Sequence, residues 1–143
     1  MEKQLNELLA DVVVESHKML NYHWYVKGIN FQTMHLKTEQ FYHDFVKMSD
    51  EIAEIMLMMG YMPVANLKEI LSIAHIKELR SQYSEESVIN EGILIDFVYL
   101  LNNIKNIRSL ADETENELVV IKLDEYIYYL NKNIWMLKQA KIV

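Results

Sequence analysis

Four segments of this chain repeat apolar residues at alternating steps of four and three, and that rhythm leaves little choice of fold. The first, about Lys3 to Lys27, carries Leu5, Leu9, Val12, Met19 and His23; the second carries Phe41, Phe45, Met48, Ile52, Ile55 and Met59. The third carries Ile93, Phe97, Leu100, Ile104 and Ile107, and the last Leu123, Ile127, Leu130, Ile134 and Leu137. Such steps keep residues on one face of a helix. Four helices of roughly 20 to 30 residues with stripes of this kind bury them side by side as a left-handed bundle. Composition agrees: one Pro, three Gly and 51% apolar residues suit long helices and a real core.

Local signals set the expected boundaries. Gly28 ends the first helix, Asn30 caps the second, and Gly60 with Pro63 stops it. Asn66 and Glu69 form a capping box for a short helix, Ser84 caps the third long helix, and Thr114 with Glu117 boxes the start of the last. The link from about Gly60 to Ser84 is long enough to cross the bundle. The expected fold is therefore all-α: a four-helix bundle with a short extra helix in the long crossover between the second and third long helices, the ferritin-like connection. No repeat, low-complexity tract or linker interrupts residues 1–143, which read as a single domain.

Several function classes drop out. Without Cys there is no disulfide framework, thiolate metal site or thiol chemistry, in keeping with a reducing cytoplasm. The start Met1-Glu2-Lys3-Gln4 has no signal-peptide pattern, and apolar runs such as Ile55 to Met59 are too short to span a bilayer, so no membrane role is expected. The net charge is −7. Glu2, Glu7, Asp11 and Glu15 outweigh Lys3 and Lys18 near the N-terminus, and Lys138 and Lys141 are few. Such a surface attracts cations better than phosphates.

His23, His35, Asp50 and Glu54 are the ligand types that suit iron, manganese or zinc. Their spacing forbids a site within one chain. On one continuous helix, His35 and Asp50 stand about 22 Å apart along the axis, whereas a metal reaches each ligand at about 2 Å. Either the two pairs are unrelated, or two chains each supply half a site. Around the second helix, a row of His35, Glu39, Tyr42, Val46, Asp50, Ala53 and Leu57, with Glu54 at its edge, lies away from the bundle stripe. It is either a solvated face or a subunit contact. Across a two-fold axis these helices would run antiparallel, bringing His23 and His35 of one chain to Asp50 and Glu54 of the other. No histidine has Glu three residues before it, so a di-iron centre built from Glu-x-x-His inside one bundle is not expected.

The stretch His23-Trp24-Tyr25-Val26-Lys27-Gly28, then Asn30-Phe31, His35 and Asp50-Glu51-Ile52-Ala53-Glu54, resembles the signature of Dps-type miniferritins. The likeness continues through Met59-Gly60, Met62-Pro63 and Leu67-Lys68-Glu69 to Ile134-Trp135-Met136-Leu137, nearly the whole chain. The resemblance implies a hollow homo-dodecamer with ferroxidase centres at its two-fold interfaces. It implies oxidation of Fe(II) by hydrogen peroxide or O2 and storage of the ferric mineral, which suppresses Fenton chemistry. It assigns His23, His35, Asp50 and Glu54 as catalytic ligands of a two-iron centre, a site where zinc or another divalent metal can substitute. Glu39 is assigned to a second iron position, where many members have Asp.

Members generally bind DNA through a Lys-rich terminal extension. This chain departs from that pattern, so DNA binding is not expected of it. The competing functions are a DNA-compacting structural protein and a cage that binds divalent metal without redox chemistry. Trp24, Tyr25 and Trp135 read as interface packing near the site, and the Asp112–Glu117 run as a solvated helix start rather than a pore. His17, His43 and His75 read as structural or surface residues, Met56, Met58, Met59 and Met62 as packing, and Tyr126, Tyr128 and Tyr129 as packing or subunit contacts.

Overall fold

In the computed structural model, residues 1–140 are described; Lys141 lies outside the described residues. The chain forms α1 (Glu2–Tyr25), α2 (Phe31–Met58), α3 (Leu67–Ile73), α4 (Glu86–Glu113) and α5 (Glu117–Gln139). Four long helices with one short helix between the second and third long ones match the expected all-α plan. Among the described residues the only β pairing is an isolated parallel bridge between Val26 and Ser84. Two compact units divide the chain, Glu2–Ile89 and the part from Asn90 onward.

In the first unit, α1 packs against both α2 and α3. Leu5, Leu9, Val12 and Met19 of α1 and Phe41, Phe45, Met48 and Ile52 of α2 are buried, as their spacing requires. A ladder of polar side chains on α1 then pins the crossover along its length. Glu2 accepts the Met62 N–H at 2.9 Å. The Asn6 amide donates to the Met62 carbonyl at 3.1 Å and accepts from Val64 N–H at 2.8 Å. Asp11 Oδ1 accepts from the N–H groups of His75 and Ile76 at 2.6 and 2.8 Å, and Asn21 donates to the Arg80 carbonyl at 3.1 Å. Asp11 and Glu15 are fully buried. Half of the acidic N-terminal run is therefore withdrawn from solvent, while Glu2 stays exposed and Glu7 half-buried: the crossover and α3 cover one side of α1, and Asp11 serves the backbone that covers it.

Three expected caps are replaced by other contacts. Asn30 occupies the N-cap position of α2 without a side-chain cap bond; its amide donates instead to Glu86. Ser84 exchanges backbone hydrogen bonds with Tyr25 and Lys27, at 3.0 Å each, and α4 starts two residues later. Thr114 turns back to the Leu110 carbonyl at 2.9 Å, so the N-cap of α5 is Asn116. The Asn66 cap of α3 forms as read, accepting Glu69 N–H at 3.2 Å. Gly60, at φ +80°, closes α2 in a Schellman motif: Tyr61 N–H reaches the Met56 carbonyl and Gly60 N–H the Leu57 carbonyl. The end of α4 repeats that motif with Glu115, at φ +56°, in the position glycine normally takes.

In the second unit Ile93, Phe97, Leu100, Ile104 and Ile107 are buried, as are Leu123, Tyr126, Leu130, Ile134 and Leu137. Phe97 meets the Tyr129 ring at 6.5 Å, and Arg108 pairs with Asp124 at 3.0 Å, so α4 and α5 run antiparallel. Of the methionine run only Met56 is buried; Met58 and Met62 are exposed, because the stripe that ends α2 passes through Met56 and Met59. Tyr128 is likewise exposed.

Candidate metal centre

The turn between α1 and α2 brings His23 and His35 together. Gly28 takes φ +130°, a backbone region open almost only to glycine, and the turn folds His23, near the end of α1, back over the first turns of α2. The two imidazoles stack with centroids 3.7 Å apart and planes 14° from parallel. Each is held by the other's backbone: His23 Nδ1 lies 2.7 Å from the His35 carbonyl oxygen, and His35 Nδ1 lies 2.8 Å from the His23 carbonyl oxygen. A carbonyl oxygen only accepts, so both Nδ1 atoms must carry the proton and donate. With Nδ1 so engaged, Nε2 is the ring nitrogen left to offer a lone pair to a metal. This is the outer-sphere arrangement that orients imidazole for a metal. Phe31 stacks on the His35 ring at 4.9 Å and further limits its rotation.

Neighbouring contacts fix the turn itself. Tyr25 packs edge-to-face on Tyr83 at 5.2 Å, and Lys27 lies 5.3 Å from the centre of that ring. Tyr25 therefore packs within its own chain, whereas Trp24, next to His23 in sequence, is 60% exposed. Glu86, already bonded to Asn30, also faces Lys37. Burial lowers the pKa of the Lys37 ammonium, and the Glu86 charge partly opposes that shift.

Asp50 and Glu54 lie one turn apart on α2, both exposed, as is Glu39 one turn beyond His35. Because α2 is continuous from Phe31 to Met58, the axial gap of about 22 Å between His35 and Asp50 stands. Among the described residues, no group of three or more His, Cys, Asp or Glu is positioned to hold a metal ion. The candidate ligands thus form two separated groups, an imidazole pair held by backbone carbonyls and an exposed acid pair. Beside them the second row of α2 is left partly or fully open, with Tyr42 and Ala53 half-buried and Val46 and Leu57 exposed at 42% and 59%. Tyr42 and Val46 also line an open, mainly apolar hollow of about 260 Å³ with Val13, Leu20, Ile70 and Leu71.

The ferritin-like domain family matches residues 2–140, and this all-α chain with its short crossover helix is a ferritin-like protein. Within that family the chain belongs to the Dps-type miniferritins. It is 32% identical over 135 residues to the DNA protection during starvation protein of Helicobacter pylori, covering 94% of this chain and 93% of that one. It is 37% identical over 134 residues to DNA protection during starvation protein 2 of Bacillus anthracis, covering 94% and 91%. The crystal structure of a Dps protein from Vibrio cholerae superposes with a TM-score of 0.93 at 31% identity, covering 96% of this chain and 86% of that one. That protein is described as a member of a broad superfamily of ferritin-like diiron-carboxylate proteins.

The reciprocal histidine lock was not legible in the sequence. It depends on how closely two helices approach across a turn, and residue spacing carries no trace of that.

Proposed function

We infer that this chain assembles with copies of itself into a hollow cytoplasmic cage, a dodecamer by family likeness, that oxidises ferrous iron and stores the ferric product. One observation carries the reading: two imidazoles with Nε2 presented for a metal, on a chain whose Asp50–Glu54 acid pair begins about 22 Å away along the same rod. A two-fold contact through the exposed row of α2 completes each shell, His23 and His35 from one copy and Asp50 and Glu54 from the other. The same contact fills the apolar hollow beside Tyr42 and Val46. Glu39, one turn from His35, serves a second and weaker iron position.

The donor set suits the substrate. Neutral imidazoles bind Fe(II) without excess negative charge, and the two carboxylates favour the ferric product. Few protein ligands leave positions open for a second ferrous ion and the oxidant. Two ferrous ions each give one electron to hydrogen peroxide, whose O–O bond breaks to hydroxide-level oxygen. Paired delivery of electrons avoids the hydroxyl radical that one ferrous ion alone would release. Zinc or another divalent ion fits the same ligands and would compete.

Anaerobic addition of Fe(II) followed by peroxide tests the reading. Rapid oxidation at two Fe(II) per peroxide supports it. Oxidation no faster than the protein-free background leaves a non-redox metal-binding cage in its place.

A further inference from the structure

His43 belongs to neither the bundle stripe nor the half-sites. It is exposed on α2, with its ring edge-to-face against Tyr42 at 5.3 Å. Around the helix it lies within about 40° of Glu39, Asp50 and Glu54, on the face assigned above to the two-fold contact. A two-fold register that sets His35 against the turn from Asp50 to Glu54 is centred halfway, at residues 43–44. In that register His43 faces the same residue of a second copy across the axis.

We propose that the two His43 imidazoles form a further metal site on that axis, taking one borderline divalent cation such as zinc per pair of chains. The proposal rests on the interface reading above and adds a separate site to it. Two equivalent nitrogen donors related by a two-fold axis converge on a point of that axis, and imidazole is a preferred ligand of such ions. The site is distinct from the iron half-sites: seven or eight residues along α2 put it about 10 Å from Asp50 and about 12 Å from His35. Lys47 lies one turn away on a nearby bearing. It is exposed, and its long flexible stem lets the ammonium turn to water. Asp44, about 100° round the helix from His43, accepts from the Gln40 amide at 2.9 Å. The ion acts as a staple between copies, and its stoichiometry is half an ion per chain.

Zinc bound per chain, measured by equilibrium dialysis of the assembled protein and its His43→Gln variant, tests the site. The expected result is a loss of half a zinc per chain in the variant with the rate of Fe(II) oxidation unchanged. No loss, or a loss of a whole zinc per chain, overturns the site. The register is tested separately with His43→Cys, since the chain has no other cysteine and helix axes in contact lie about 8–10 Å apart. A short bis-maleimide should yield a covalent dimer. Cross-linking without the half-zinc loss in His43→Gln refutes the metal site and leaves the interface standing. No cross-linking in a particle that native mass shows to be oligomeric refutes the register, and the site with it.

Discussion

Two inactive variants should restore activity to each other when they share an assembly. His23→Ala/His35→Ala removes the imidazole half of every site, and Asp50→Ala/Glu54→Ala removes the acid half. Because about 22 Å of rigid helix separates the halves, each site must draw them from different chains. Either variant alone then has no intact site. In a mixed pair one site receives both intact halves and the other both damaged ones. Random pairing in an equal mixture makes about half the pairs mixed, each with one good site of two, so about one quarter of the wild-type sites return. Co-expressed chains carrying two different affinity tags are purified through both, and peroxide-driven Fe(II) oxidation is read per mole of chain, with native mass confirming the size of the particle. Tandem purification discards unmixed particles, so the recovered fraction should reach or exceed that quarter. Mixed particles no faster than either parent would refute the shared site. Wild-type activity in the Asp50→Ala/Glu54→Ala protein alone would refute it as directly.

The other predictions are more local. Asp11→Ala leaves the His75 and Ile76 N–H groups without their shared acceptor, and should lower stability by about 2–6 kcal/mol in urea denaturation at fixed protein concentration. A loss below about 1 kcal/mol would show that the crossover does not depend on this carboxylate. Glu115→Gly relieves a left-handed backbone at φ +56° and should stabilise by about 0.5–1 kcal/mol, seen as a higher thermal midpoint. A lower midpoint would mean the carboxylate makes a contact that outweighs its backbone strain. With a net charge of −7, the assembled protein should not retard plasmid DNA in a gel shift at about 150 mM salt; clear retardation would overturn that expectation.

Much of this molecule could be read from the order of its residues. Apolar spacing near the helical period places the four long helices, since a stripe has no other way to leave water. The Asn66 cap and the stop at Gly60 are likewise local events between residues a few positions apart. The candidate ligands were legible for a related reason: a continuous helix is a ruler, and the separation of His35 from Asp50 needs no coordinates beyond the helical rise. Tertiary structure decided what depends on partners far along the chain. Asn30 bonds Glu86 and Ser84 bonds Tyr25 and Lys27, so residues suited to helix caps serve instead to join distant segments. Asp11 reads as a surface charge until the crossover folds over it. The tautomers of His23 and His35 are set only when each ring meets the other's carbonyl, a contact between helix ends that no local pattern encodes.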